Sequence, residues 1–112
     1  MLRILKKTIK SGIVTIKYPY RQDIAPVGFR GKPGVDSNRC TFCGDCAKAC
    51  PTDIICLNKD RNEMSLTLDY GGCIFCGLCE EVCQSGAIRL TQEYELASRT
   101  KEDLVTVVRR KL

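Results

Sequence analysis

The chain has no histidine and no tryptophan. Without an imidazole it cannot run Ser–His–Asp or Cys–His chemistry, hold haem through a histidine, form a Rieske-type centre or build a zinc finger that needs two histidines. Long apolar runs are also missing. The stretch Met1-Leu2-Arg3-Ile4-Leu5-Lys6-Lys7-Thr8-Ile9-Lys10 is broken by charge every few residues. It holds neither the apolar core of about 7–15 residues of a secretory leader nor the ~20 residues that cross a bilayer. A cytoplasmic protein is expected, in a compartment where disulfides are rare. Aromatic residues make up only 6% of the 112 residues and do not alternate with basic ones, which disfavours nucleic acid as a partner.

What the chain does have is cysteine. Nine of them amount to about 8% of the residues, near the level that marks a cysteine-built scaffold. The odd count argues against a pure disulfide framework. Without the cysteines the apolar fraction falls from 44% to about 36%, a thin supply for the core of a single domain. The formal charge of +5 is unevenly spread. Residues 1–39 carry nine basic and two acidic side chains. Residues 40–90 hold every cysteine, with four basic and seven acidic side chains, and residues 91–112 are nearly neutral. These three parts are expected to be a basic N-terminal docking arm (1–39), a central domain (40–90) and a C-terminal helical tail (91–112).

The centre is an internal repeat. Cys40-Thr41-Phe42-Cys43-Gly44-Asp45-Cys46-Ala47-Lys48-Ala49-Cys50 returns 33 residues later as Cys73-Ile74-Phe75-Cys76-Gly77-Leu78-Cys79-Glu80-Glu81-Val82-Cys83. Carried on to Leu57 and Leu90, the copies also share Ile55/Ile88 and Leu57/Leu90. Two copies suggest a pseudo-twofold single domain. Pro51 should stop a helix begun at Cys46–Cys50. Ile54–Leu57 and the alternating Met64–Leu68 read as strands around a turn at residues 58–62. Thr100-Lys101-Glu102-Asp103 resembles a capping box, and Leu104, Val105, Val107, Val108 and Leu112 would then line one face of a terminal helix.

Cys40-x2-Cys43-x2-Cys46-x3-Cys50-Pro51 has the spacing of the bacterial ferredoxin run, and the second copy matches it up to Gln84, which replaces the proline. Three thiolates on one tight loop can cap three irons of a cubane, while the fourth, a helical turn on, reaches the other cluster. The expected ligand sets are therefore Cys40, Cys43, Cys46 and Cys83 for one 4Fe–4S cluster, and Cys73, Cys76, Cys79 and Cys50 for the other. Zinc and disulfides compete poorly, since zinc sites pair two separated C-x2-C knuckles. Gly44 and Gly77 would let backbone N–H groups approach the sulfides. Cys56, whose repeat mate is Arg89, is expected to be a small buried hydrophobe in a strand rather than a spare ligand or redox sensor. Gln84 has a backbone N–H that proline lacks, which could alter the potential of the cluster held by Cys83; a permissive surface position is the alternative. With every iron held by cysteine, such clusters move electrons and do not bind substrate. No catalytic residue is expected.

The arm begins with an amphipathic basic stretch, with Leu2, Leu5 and Ile9 on one face, ended by Gly12. Residues 13–19 look extended, and residues 20–39 look like a loop draped over something. A partner surface is the natural inference, with a membrane surface as the alternative.

The segments Thr15-Ile16-Lys17-Tyr18-Pro19, Phe29-Arg30-Gly31-Lys32-Pro33 and Gln92-Glu93-Tyr94-Glu95-Leu96-Ala97, together with the two cysteine runs, resemble the two-cluster ferredoxin-like subunit of membrane-bound group 4 NiFe hydrogenases. That family includes formate hydrogenlyase and the energy-converting (Ech-type) and CO-induced enzymes, and is related to the 8Fe subunit I of respiratory complex I. The chain departs from it at Gln84 and ends at residue 112 without a long cysteine-bearing extension, which favours a compact Ech-like or CO-linked version. The resemblance implies an α+β, 2×(4Fe–4S) ferredoxin-like subunit that is not an enzyme on its own. It would relay electrons between a ferredoxin, or a formate or CO dehydrogenase-linked subunit, and the hydrogenase small and large subunits. It would lie on the cytoplasmic face of the membrane, held there by a membrane arm. A subunit of a complex I-type NADH or ferredoxin dehydrogenase and a free soluble ferredoxin are the alternatives. Two oxidised clusters of about −2 each would bring the net charge from +5 to about +1, leaving a negative redox centre behind a basic arm.

Overall fold

A computed structural model describes residues 1–111. The chain starts with helix α1, Leu2–Ser11, which ends where Gly12 turns to φ +61° and donates its N–H to the Thr8 carbonyl at 3.3 Å. No residue of α1 is buried. Isolated helices shorter than about 12–15 residues are marginal in water. This ten-residue helix also has no acid in its first turn to favour the macrodipole. No helix among the described residues is long and apolar enough to cross a membrane.

Residues 13–32 run without regular structure along the segment 91–95. The Tyr18 hydroxyl and the Gln22 amide both donate to Glu95 Oε1, at 2.9 and 2.8 Å, and the Tyr94 hydroxyl donates to the Asp23 carbonyl at 3.0 Å. Phe29 and Tyr94 meet edge to face at 6.3 Å. At Gly31 the two segments come very close. Its N–H donates to the Thr91 carbonyl at 2.9 Å, and a Cβ there would stand 2.5 Å from both the Thr91 and Glu93 carbonyl oxygens. Only glycine fits.

Two small antiparallel sheets follow. Strand β1 (Pro33–Val35) pairs with β4 (Ile88–Leu90), Val35 opposite Ile88. Strand β2 (Ile55–Lys59) pairs with β3 (Glu63–Asp69), and β3 with β5 (Val105–Lys111). Two short helices, α2 (Asp45–Ala49) and α3 (Leu78–Glu81), pack on each other; α2 also packs on β2, and α3 on β4. The core is small: Cys40, Phe42, Ile55, Leu66, Leu68, Tyr70, Ala87 and Ile88. The buried Tyr70 hydroxyl donates to the Pro33 carbonyl at 2.7 Å and ties β1 to the end of β3. The projecting arm stretches the molecule to 70 × 29 × 23 Å with a radius of gyration of 19.3 Å, against about 13 Å for a compact domain of this length.

The structure matches the expected helix α1, the strands β2 and β3 and the stop at Pro51. It differs at three places. The expected C-terminal helix is absent: Glu102–Leu104 makes one 3₁₀ turn, and Val105–Lys111 is a strand. The run Val105-Thr106-Val107-Val108 is β-branched throughout, which disfavours a helix and suits a pleated surface, and the free edge of β3 supplies its partner. The turn at 98–100 is held by Ser98 Oγ, which accepts from the Thr100 N–H and donates to the Thr100 carbonyl. Leu112, placed by the sequence on the face of that helix, lies outside the described residues. The loop expected over 20–39 contains β1, so one sheet draws residues from before 40–90 and the other, through β5, from after it. Cys56 is exposed. It sits opposite Thr67 on the outer face of its sheet, while the neighbouring Ile55 turns inward.

Candidate metal centres

Each cysteine run forms the same loop. Phe42 and Phe75, just before the second cysteine of each run, have φ of +53° and +54°. Gly44 and Gly77, just after it, have φ of +88° and +89° and begin α2 and α3. Asp53 and Gly86, three residues past the fourth cysteine, have φ of +53° and +58°. Left-handed conformations at phenylalanine and aspartate are uncommon and carry strain, and such residues cluster at functional sites. Here they curl the backbone so that N–H groups face the sulfur atoms, the arrangement of an anion-binding nest. The repeat also matches at its ends: a methyl of Leu57 lies 3.2 Å from the Cβ position of Gly44, and one of Leu90 lies 3.3 Å from that of Gly77.

None of the nine cysteines forms a disulfide. Eight of them surround two cavities. One is lined by Cys40, Cys43, Cys46 and Cys83, with apolar walls that include Phe42, Leu66 and Ile88. The other is lined by Cys50, Cys73, Cys76 and Cys79, with Ile54, Ile55, Phe75 and Leu90. Each cavity thus takes three cysteines from one run and the fourth from the other. The α2–α3 packing makes this exchange possible. The ninth cysteine, Cys56, lines neither cavity. Among the described residues, no three Cys, Asp or Glu side chains gather tightly enough to hold a single ion. Four sulfurs spread around an apolar-walled space, too far apart to close on a single ion, suit a polynuclear cluster better than one tetrahedral zinc.

The thiols differ by position in the same way in both runs. Burial pushes the third cysteine up, Cys46 above its ordinary pKa and Cys79 to about 11, with neighbouring cysteines adding to the rise. The fourth cysteine is also raised by partial burial, but hydrogen bonds outweigh that and leave it below the ordinary value. Cys50 receives the Thr52 hydroxyl and the N–H groups of Ile54, Thr52 and Asp53; Cys83 receives the Ser85 hydroxyl and the N–H groups of Ile88, Ala87 and Gly86. The sulfur–hydroxyl distances are 3.6 and 3.5 Å. Donors aimed at sulfur favour the thiolate, which is the metal-binding form. Gln84 is exposed, and the donors named at Cys83 come from residues beyond it.

Two arginines far from the runs also reach the loops, and the sequence reading missed both. Arg30 donates to the Cys76 carbonyl and Arg110 to the Cys40 carbonyl, each at 3.1 Å. Arg30 belongs to a sequence element noted above only for its family likeness. No sequence signal marks Arg110, because its position depends on β5 being a strand.

Residues 39–87 match the family model of the 4Fe–4S dicluster domain. The chain is 46% identical to formate hydrogenlyase subunit 6 of Escherichia coli (strain K12) over 107 residues, covering 94% of this chain and 59% of that protein. It is 39% identical to the chloroplastic NAD(P)H-quinone oxidoreductase subunit I of Dioscorea elephantipes over 98 residues, covering 81% of this chain and 54% of that one. Among solved structures, a chain of the membrane-bound sulfane sulfur reductase, an archaeal respiratory membrane complex, superposes with a TM-score of 0.67 at 29% identity. That match covers 90% of this chain and 56% of the other. The chain thus spans a little over half the length of these relatives. The cofactors are two 4Fe–4S clusters.

Proposed function

We propose that this chain, which is similar to iron–sulfur subunits of formate hydrogenlyase and of the NAD(P)H-quinone oxidoreductases and carries a 4Fe–4S dicluster domain, is an electron relay within a membrane-bound, energy-converting hydrogenase complex. In this reading the electrons come from a ferredoxin or a formate or CO dehydrogenase-linked subunit and leave toward the hydrogenase small and large subunits. The chain sits peripherally on the cytoplasmic face, held by partner subunits. The arm docks, the widened central body (33–111) holds both clusters in a pseudo-twofold pair, and the chain performs no catalysis alone.

The observation that carries the ligand assignment is the division of cysteines between the cavities. Cys40, Cys43, Cys46 and Cys83 hold one cluster; Cys73, Cys76, Cys79 and Cys50 hold the other. When bound, each cluster accepts and passes single electrons. The chain's own residues make that possible. Leu66, Ile88, Ile55 and their neighbours exclude water from the cavity walls. Backbone N–H groups at Cys50 and Cys83 stabilise thiolate charge. The shared α2–α3 contact keeps the two cavities adjacent, as electron transfer between them requires.

The test compares single alanine variants by iron content and EPR. Cys50→Ala should leave the same spectrum as Cys73→Ala, and Cys83→Ala the same as Cys40→Ala. A Cys50→Ala spectrum that matches Cys40→Ala instead would overturn the exchange of fourth ligands. The complex-level reading is tested by gentle solubilisation. A nickel-bearing chain should copurify. An assembly without nickel favours a complex I-type dehydrogenase, the reading that the oxidoreductase relatives and the respiratory structural neighbour support. Isolation as a lone 12.5 kDa monomer would favour a free ferredoxin.

A further inference from the structure

The two cavities match in backbone but not in the charges around them. Arg110 crosses from β5 to donate to the carbonyl of Cys40, in the first cysteine loop. On the far side of the same cavity, the guanidinium ends of Arg39 and Arg89 lie 3.3 and 3.6 Å from the Cβ position of Gly86, whose N–H points at the Cys83 sulfur. Of the acids in the neighbouring segments, Asp45 pairs with Lys48 at 3.6 Å, while the Asp36 carboxylate accepts the Asn38 N–H at 2.9 Å and keeps its charge.

At the second cavity the arm brings Arg30, which donates to the Cys76 carbonyl, and Lys32, next to the lining residue Pro33 and paired with Glu93 at 3.0 Å. Arg30 shares its cleft with Glu80 and Glu81. Among the described residues neither glutamate forms an ion pair. Asp53, in the turn that donates to the Cys50 sulfur, adds another negative charge; its repeat mate beside the first cavity is Gly86, which has none.

Reduction adds an electron to a cluster that is already negative. Nearby cations therefore favour the reduced state and nearby anions oppose it, more strongly where burial limits screening. Resting on the ligand reading above, we propose that the two clusters are electrostatically unequal. The one held by Cys40, Cys43, Cys46 and Cys83 is the more easily reduced, and Arg110 is the positioning residue that contributes most to the difference. An arriving electron comes to rest at the first-run cluster. Arg30 reaches the second loop at its second cysteine, Cys76, rather than its first, and is offset by Glu80 and Glu81.

The experiment is a dithionite titration of the full chain with both clusters, in the assembly in which it is isolated, followed by EPR and with iron counted in every variant. The unmutated chain should show two separate midpoints, and Cys73→Ala should remove the lower. Arg110→Gln, with iron retained, should lower the higher midpoint and narrow the gap, and Arg110→Lys should hold it in place. Glu80→Gln with Glu81→Gln should raise the lower midpoint. Full iron with both midpoints unmoved by Arg110→Gln, or a shift of the lower one instead, overturns the proposal and leaves the two-cluster reading intact. If Arg110→Gln loses iron, the glutamate pair decides: a raised lower midpoint supports the proposal, and an unmoved one overturns it. Less than two clusters' worth of iron in the unmutated chain defeats the ligand reading and this proposal together.

Discussion

Between residues 40–57 and 73–90 the left-handed backbone positions recur in register, at Phe42 and Phe75, at Gly44 and Gly77, and at Asp53 and Gly86. The surroundings do not repeat. Phe42 is buried in the core, whereas Phe75 is half-exposed. The strand after the first run, β2, joins β3 and β5, while its counterpart β4 pairs with β1. Pro51 closes the first run, and the exposed Gln84 closes the second. Where backbone donors must meet sulfur, both copies keep one conformation. Outside that shell, each copy is free to take on a different partner segment, and the two arms of the chain do so.

The comparison can be broken most severely by removing the metal. Among the described residues the buried apolar core is small, and the two cavities interrupt it, so iron chelation should abolish the native fold in both halves at once. Loss of near-UV circular dichroism and of amide protection at Leu66 and Leu68 is the expected readout; a chelated chain that keeps both would show that the halves fold without their clusters. Next in size is the phenylalanine pair. Phe42→Ala should cost about 3–5 kcal/mol and Phe75→Ala clearly less, since only the first is fully enclosed. Thermal loss of visible absorbance should come earlier in the first variant, and equal losses would deny the difference in burial. Gly44→Ala and Gly77→Ala should instead behave alike, each costing about 1–2 kcal/mol for a side chain held at positive φ. The leucine methyls at 3.2 and 3.3 Å add similar crowding in both. The smallest effect is expected at Gln84→Pro, a surface change within about 0.5 kcal/mol that leaves both midpoints in place. A moved midpoint would restore a role for the Gln84 N–H.

Much of the site could be read in advance, because metal-binding chemistry is local. Spacings of two and three residues dictate which sulfurs can share a loop, and Pro51 dictates where the following helix stops. Helix α1 was legible for the same reason, in a short periodic stretch ended by Gly12. Strand β5 was not. Its apolar residues fit a helical face, and the edge of β3 that makes it a strand lies some forty residues away in sequence. Strand β1 was hidden in a segment rich in proline and glycine, where only the partner β4 reveals extended pairing. Cys56 looked like core because strand residues alternate, and nothing local says which face turns inward.

The amino-acid sequence by itself determined the cofactor type, the two cysteine runs and the basic arm, all of which follow from residue identity and spacing. The tertiary structure alone decided how the arms close around the runs, and that Arg30 and Arg110 reach opposite loops. Those outcomes depend on contacts between residues dozens of positions apart, where packing and edge pairing outweigh local preference.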